Sequence, residues 1–348
     1  MNFGIIGSGM IAQFHAKAIE AMDGSQLRAV YSNDSAKAQA MAESFGCKAS
    51  HDLDAFLADP ELDIVTIATP SGAHLEPSLA AARAGKHVIC EKPLEITTER
   101  VDQMLAAGEK AGVTIAGILN RRFNPCLAAL KKATDDGRFG QIAMADAYVK
   151  WYRTQEYYDS GAWRGTWALD GGGAIMNQAI HTIDQLLYVA GPVKALSATM
   201  ATLTHERIEV EDTAVAILEF ESGARGVIQG STGCWSRSGL PAEVHISGEN
   251  GSACLVDDKF RLWEFKEERP EDAVILSDHM VTAGGVGLGA NDPSAMDFSG
   301  HKSNFEDVVN AINSGRESSV GGAEARKAVA LINAIYESAK NDSRRILL

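Results

Sequence analysis

The five cysteines (Cys47, Cys90, Cys126, Cys234 and Cys254) are odd in number, and no two of them stand in a C-x-x-C spacing. That excludes a disulfide scaffold and a structural zinc site, and leaves them as small buried hydrophobes. No metal site is expected. No apolar run reaches the roughly 20 residues of a membrane span. No basic stretch followed by a cleavable apolar segment opens the chain. The expected location is therefore the cytoplasm, with no membrane partner. Positive charge is also short: 32 Lys and Arg face 46 Asp and Glu, a formal net charge of −14. Such a surface repels polyphosphate backbones, so nucleic acid is not an expected partner, although local basic pockets still suit a small anion. Low-complexity tracts and fixed-period repeats are missing as well, which excludes solenoids and linker-rich chains.

What the chain does have is length and alternation. At 348 residues it exceeds the roughly 250–300 residues over which one core grows, so two domains are expected. Short apolar runs at 2–6, 27–31, 64–68, 87–90 and 114–118 read as buried parallel strands. Helical patterns at 10–22, 35–45, 73–84 and 98–111 lie between them, with Gly24, Gly46, Gly85 and Gly112 just past their ends. This rhythm predicts an α/β class with a doubly wound parallel sheet. From about residue 123 the pattern changes to a helix (125–134), a long strand (142–151), a Gly-rich turn opening a helix (173–189), and a succession of strands between 194 and 264. A predominantly antiparallel sheet backed by helices fits this α+β region. Residues 282–300 read as a long loop, followed by helices near 303–314 and 323–341.

Gly7-Ser8-Gly9-Met10-Ile11-Ala12 spells G-x-G-x-x-A between a strand and a helix. In that context Gly7 permits a tight turn, Gly9 lets the backbone approach a pyrophosphate at the helix N-terminus, and Ala12 keeps helix and strand close. A dinucleotide is the implied cofactor. The second strand ends in Ser32-Asn33-Asp34, without a carboxylate at the position that holds a ribose 2′-hydroxyl. Ser32 and Asn33 can donate to a 2′-phosphate, with Lys37 a turn further on. NAD or NADP fits, with a slight lean to NADP.

Ligands of such sheets bind beyond the carboxyl ends of the strands. There the chain places Thr69-Pro70, Glu91-Lys92-Pro93 and Asn120-Arg121-Arg122. Lys92, between an apolar strand and a proline, can be partly desolvated and can hydrogen-bond a substrate hydroxyl; a surface lysine capping a strand explains the same position. In the Gly171–Asp184 segment, Ile175, Met176, Ile180, Ile183, Leu186 and Leu187 form an apolar stripe. Asn177, His181 and Asp184 fall at i, i+4 and i+7, on the opposite face of an α-helix. His181 there can act as acid–base; a solvated helix face accounts for the spacing equally. Trp151, Tyr152, Tyr157, Tyr158, Trp163 and Trp167, mixed with Arg153 and Arg164, suit a carbohydrate ring bearing polar or acidic groups. His181, Asp184 and His279 as a metal-dependent hydrolase would need a fuller ligand cluster than the sequence offers.

Taken in order, G-x-G-x-x-A, Ala68-Thr69-Pro70 with His74, Glu91-Lys92-Pro93, Arg121-Arg122-Phe123 with Pro125, and the Gly171–Asp184 element resemble the glucose–fructose oxidoreductase, inositol dehydrogenase and MocA-like family over the whole chain. The resemblance implies a Rossmann domain (1–122) and an α+β substrate domain (123–348) whose large open sheet builds homodimers or homotetramers. It also implies closing helices that pack back on the first domain. The cofactor set is then Gly7, Ser8, Gly9, Met10, Ile11, Ser32, Asn33, Lys37, Thr69, Pro70, His74, Glu91 and Lys92. It implies a catalytic Lys92 and an acid–base His181, with Asn177 where many members carry an aspartate, as in a branch that includes sugar-nucleotide and sugar-acid dehydrogenases. Arg122, Tyr152, Trp163, Arg164, Asn177, Asp184 and His301 are the expected substrate contacts. The expected reaction moves a hydride between the nicotinamide and a secondary alcohol carbon of a sugar, sugar acid or cyclic polyol: His181 takes the proton, directly or through Lys92, and Lys92 stabilises the oxyanion. Two rivals stand beside it: an enzyme that holds its cofactor tightly to cleave glycosides or couple two sugars, and a non-catalytic dinucleotide sensor.

Overall fold

The computed structural model describes residues 1–282 and 297–348. Most of the predicted loop at 282–300 lies outside the described residues, and its last two residues, Ser299 and Gly300, already belong to a helix. The chain divides into two compact units, Met1–Asn120 with Asp297–Val329, and Arg121–Met296 with Ala330–Leu348.

In the first unit the strands are β1 (Asn2–Ile6), β2 (Gln26–Tyr31), β3 (Lys48–Ser50), β4 (Ile64–Ile67), β5 (His87–Cys90) and β6 (Ile115–Gly117). They form one sheet in the order β3-β2-β1-β4-β5-β6, and every pair is parallel. The order reverses between β1 and β4, so the carboxyl ends of these two strands frame the switch point where such sheets take ligands. The intervening helices are α1 (Met10–Glu20), α2 (Ser35–Ser44), α3 (Leu53–Leu57), α4 (Leu75–Arg83) and α5 (Thr98–Ala111). Strand residues such as Ile5, Val30, Ile64, Val65, Ile67, Val88 and Ile89 are wholly buried. Their continuous apolar runs are the signature of strands covered on both faces.

The second unit opens with α6 (Pro125–Asp135), capped by Asn124, whose Oδ1 accepts from the Cys126 and Leu127 amides. Then come β7 (Ile142–Lys150), α7 (Gln155–Asp159), a π-helical turn (Ala174–Ala179) and α8 (Ile180–Ala190). The strands β8 (Val193–Ala201), β9 (Thr213–Phe220), β10 (Arg225–Ser231), β11 (Ala242–Gly248), β12 (Gly251–Val256) and β13 (Lys259–Phe265) follow, then α9 (Asp272–Asp278). The returning chain adds α10 (Ser299–Ser314) to the first unit, then α11 (Gly322–Lys340), and β14 (Ile346–Leu347) to the second. The second sheet runs β13-β12-β11-β7-β10-β9-β8-β14; β7 and β10 are parallel and every other pair is antiparallel. The α8 helix and the π turn cover one face. Along β9, Ala214, Ala216, Leu218 and Phe220 turn inward while Ile217 is 61% exposed on the other face, as period-two alternation requires. Among the described residues no helix is long and apolar enough to cross a membrane.

Candidate active site

The first unit carries a dinucleotide cradle. Gly7 has φ +119°, and a Cβ there would stand 2.5 Å from the Ala68 carbonyl oxygen, so only glycine fits between β1 and β4. Gly9 heads α1 without a side-chain cap, the first turn holds no acidic residue, and the space around Gly9 is open. Uncapped amides, open room and no carboxylate are what a pyrophosphate needs. Ala12 is fully buried. Ser8 Oγ donates to Ser32 Oγ at 2.9 Å, and Tyr31 Oη to Asn33 Oδ1 at 2.6 Å. Asp34 caps α2 through the Lys37 amide, and its carboxylate also pairs with Lys37 Nζ at 3.2 Å. A hollow of about 390 Å³ lies here, lined by Ser8, Gln13, Lys37, Met41 and Phe45. Met10 is exposed at the helix start.

The other strand ends are tied together. Buried His74 faces the Pro93 carbonyl with Nδ1 (2.9 Å) and the Thr69 carbonyl with Nε2 (3.0 Å), clipping the turn after β4 to the turn after β5. Lys92 is half-buried, and the bond to Pro93 is cis. Behind it, Glu91 Oε2 accepts from the Lys92 amide at 2.9 Å, while Oε1 faces His15 Nε2 (3.0 Å) and His301 Nε2 (3.3 Å). Burial opposes ionisation of Glu91, but the two imidazoles outweigh it and hold the carboxyl well below its usual range. Burial lowers His15, so a neutral His15 donates to Glu91 from Nε2 and accepts from Thr66 Oγ1 at Nδ1, 2.8 Å away. His301, expected to touch substrate, is instead 3% exposed and packs against Glu91, His15 and Phe14.

In the second unit the Gly-rich segment forms a π turn before α8, where a single α-helix was predicted. A π turn advances each residue by roughly 80° rather than about 100°. The turn shifts Asn177 relative to α8, whereas His181 and Asp184 both lie within α8, about 60° apart as in any α-helix; Asn177 and His181 are each partly exposed and Asp184 is buried. The expectation that Asp184 and Arg122 contact substrate is corrected accordingly. Arg122 Nε and Nη2 donate to Asp184 Oδ2 and Oδ1 at 2.9 and 2.7 Å, both side chains are buried, and the guanidinium lies 4.7 Å from the Tyr188 ring centre. Asn177 Nδ2 donates to buried Asp170, whose other oxygen accepts from the Gly165 amide at 2.9 Å. Gln178 Nε2 bonds Asn177 Oδ1 and Tyr157 Oη, each at 3.0 Å, and Gln178 Oε1 accepts from Arg153 Nη2 at 2.8 Å.

That chain of bonds leads from Asn177 into a groove of about 320 Å³ lined by Tyr152, Arg153, Thr154, Tyr157, Trp235, Ser236 and Arg237. Arg164 stacks between Tyr157 (4.3 Å) and Trp163 (4.7 Å). The Arg153 guanidinium is buried beside Trp151 and Tyr157, and burial lowers its pKa. Trp235 is 66% exposed. Trp151 and Tyr158 belong to the core. Asp170, Gln178, Trp235 and Arg237 were not anticipated. A Gln beside the Asn was a local signal; the Trp-x-Arg of 235–237 lay in a loop with no spacing to mark it.

Residues 1–117 match the model of an oxidoreductase family with an NAD-binding Rossmann fold, and residues 127–254 match the GFO/IDH/MocA C-terminal domain. The chain belongs to the Gfo/Idh/MocA oxidoreductase family. Inositol 2-dehydrogenase of Rhizobium meliloti is 28% identical, covering 97% of this chain and 96% of its own length. Levoglucosan dehydrogenase of Pseudarthrobacter phenanthrenivorans is 29% identical over 72% of each chain. The crystal structure of the WlbA dehydrogenase of Bordetella pertussis, in complex with NADH and UDP-GlcNAcA, superposes with a TM-score of 0.88 at 34% identity, covering all of this chain and 98% of that one. This Gfo/Idh/MocA protein is an NAD-dependent oxidoreductase. The expectation of a sugar or polyol dehydrogenase agrees with the activities its relatives are named for.

Proposed function

We propose that this protein transfers a hydride between NAD(H) and a secondary alcohol carbon of a sugar acid carried on a nucleoside diphosphate. The observation that carries this reading is the arginine–aromatic groove joined by Gln178 to Asn177. Neutral polyols have no use for desolvated Arg153 or for Arg237 at the rim, whereas a carboxylate or diphosphate is matched by both. The open face of Trp235 suits a base. The WlbA dehydrogenase supports the reading, since its bound ligand is UDP-GlcNAcA.

Bound NAD supplies the hydride acceptor. The uncapped amides of α1 and the Gly7 turn hold its pyrophosphate. Lys92, fixed from behind by Glu91, donates to the reacting hydroxyl and stabilises the alkoxide as it forms. His181 takes the proton. Asn177, anchored by Asp170 and Gln178, orients the same substrate edge. Ser32 offers no carboxylate against a 2′-phosphate, but Lys37 is engaged by Asp34, so the slight lean to NADP becomes dual use, with KM values for the two dinucleotides within about tenfold. Ile217 and Met144 are exposed on the open sheet face, which supports assembly of homodimers or homotetramers there. Five free thiols support a reducing compartment such as the cytoplasm.

The test is reduced-nicotinamide absorbance with both dinucleotides against UDP-linked uronic acids, free uronic acids, inositol and levoglucosan. Turnover of the nucleotide-linked acid should vanish in Lys92→Ala and His181→Ala, and its KM should rise in Arg237→Ala and Trp235→Ala. Efficient turnover of inositol or levoglucosan, with none of any acid, refutes the substrate assignment.

A further inference from the structure

Glu211 has no part in the roles above, yet it grips the segment that carries them. It lies just before β9 and is 2% exposed. Its Oε2 accepts from the Gly173 amide at 2.9 Å, and its Oε1 from the Ile175 amide at 2.9 Å and the Tyr336 hydroxyl at 3.0 Å. Its own carbonyl accepts from the Ala174 amide at 3.1 Å. The Tyr336 hydroxyl in turn accepts from the Met176 amide at 3.2 Å. Four consecutive amides at the head of the π turn are therefore taken by two residues remote in sequence, where a helix start ordinarily relies on its own cap. The fit is tight: a Cβ on Gly173 would stand 1.8 Å from the Glu211 carbonyl oxygen, and one on Gly172 2.0 Å from the Tyr336 hydroxyl. The π turn begins at this clamp and delivers Asn177 and then His181.

We propose that Glu211 is a positioning residue, whose carboxylate fixes the register of the π turn and so the placement of Asn177 and His181. The clamp stands on its own geometry; only its catalytic consequence rests on the function proposed above. The titratable groups facing it are the Tyr336 hydroxyl, Tyr158 and Asp170. Asp212, next in sequence, turns its carboxylate to residues 203–205. Among the described residues no lysine or arginine pairs with Glu211. Burial pushes its carboxyl up to about 7, against the opposing amide and tyrosine bonds. Protonation turns one accepting oxygen into a donor and strands one of the three hydrogens it holds.

Amide hydrogen exchange of residues 171–181 in the full chain tests the clamp without any substrate. Protection of Gly173 and Ile175, corrected for intrinsic rates, is expected to fall about tenfold from about pH 8 to about pH 6 in the wild type. In Glu211→Gln it should be low throughout. The kcat of Glu211→Gln should fall at least about tenfold, with the KM values and the dinucleotide Kd within about threefold of wild type, and the acid limb of the kcat profile should flatten. Tyr336→Phe, which removes the Met176 acceptor and one donor to Glu211 but leaves the Gly173, Ala174 and Ile175 bonds in place, should lose part of the protection and part of kcat, and it decides with the wild-type pH series if Glu211→Gln does not fold. Protection that ignores pH, or that falls without change in kcat, overturns the proposal. A wild type inactive on every substrate, with exchange behaving as described, counts against the substrate reading alone.

Discussion

Replacing Asp184 by Asn tests whether this carboxylate serves the fold or the substrate. Arg122 meets Asp184 in a two-bond fork at 2.7 and 2.9 Å, with about 4% of either side chain exposed. Removing one partner of such a pair strands a buried charge, at about 3–5 kcal/mol. In a unit of about 200 residues each kcal/mol moves the thermal midpoint by about 2–4 °C, so the expected loss is about 6–20 °C. The double variant Arg122→Met, Asp184→Leu removes both charges for similar volume and should recover most of that loss, because the pair's attraction and its desolvation nearly cancel. Near-ultraviolet circular dichroism during heating reads the midpoint. Below the transition, the KM of Asp184→Asn for its carbohydrate should stay within about threefold of wild type. A variant as stable as the wild type, but with KM raised more than about tenfold, would show that the carboxylate faces the substrate, and the ion-pair reading would fail.

Gly7→Ala places a methyl 2.5 Å from the Ala68 carbonyl oxygen at a φ of +119°, so titration calorimetry should show dinucleotide affinity down on the order of a hundredfold; a change under about threefold contradicts the cradle. Glu91→Gln breaks the charge-assisted bonds behind Lys92. Steady-state kinetics should show kcat reduced at least about tenfold with dinucleotide Kd little changed. Asp212 is buried, which opposes its ionisation, but the Leu203 and Thr204 amides, the Thr204 hydroxyl and His205 hold it down at about 2. Its stabilisation is complete above the unfolded value of about 3.8 and lost as pH falls through about 2. Acid unfolding should therefore flatten between about pH 4 and about pH 2 in Asp212→Asn, and an unchanged acid limb would refute the assignment.

How much of this was legible before the structure depends on the range of the interaction. The βαβ rhythm, the G-x-G-x-x-A turn and the alternation of β9 are local patterns, and each survives almost residue for residue: α5 covers Thr98–Ala111 as its periodicity predicts. The short elements β3, α3 and α7 escaped because three to five residues carry too little period to stand out. The π turn escaped for a different reason. Its backbone is dictated by Glu211 and Tyr336, 36–38 and 160 residues from their amide partners, and the burial of Asp184 follows from another remote partner, Arg122. His301 is an expected substrate contact from the sequence, but what decides its place is the buried carboxylate of Glu91, far off in sequence in the turn after β5 and invisible to any local pattern around residue 301.

These networks bear on which histidine carries the substrate proton. A general base needs a ring nitrogen able to meet the hydroxyl and then release the proton. His15 spends both nitrogens on Thr66 and Glu91, His74 on the Thr69 and Pro93 carbonyls, and His205 on Asp212 and the Arg153 carbonyl. His301 is buried against Glu91, and His245, raised to about 9 by Cys254 and Glu243, lies on the open sheet face. His181 is partly exposed, one turn beyond Asn177 on the segment that Gln178 joins to the arginine groove. The same division holds for the carboxylates, since Glu91, Asp170, Asp184 and Glu211 are all buried and each is bonded to backbone or to a cation. Buried acids hold the loops, while Lys92 and His181, both only partly buried, are the groups to which the proposed function gives the chemistry. The proposed roles therefore predict that the substrate-dependent pH profile loses its His181 limb in His181→Gln while His15→Gln, which cannot accept or release a substrate proton from its buried position, changes kcat without moving that limb; a limb displaced only by His15→Gln would reverse the assignment.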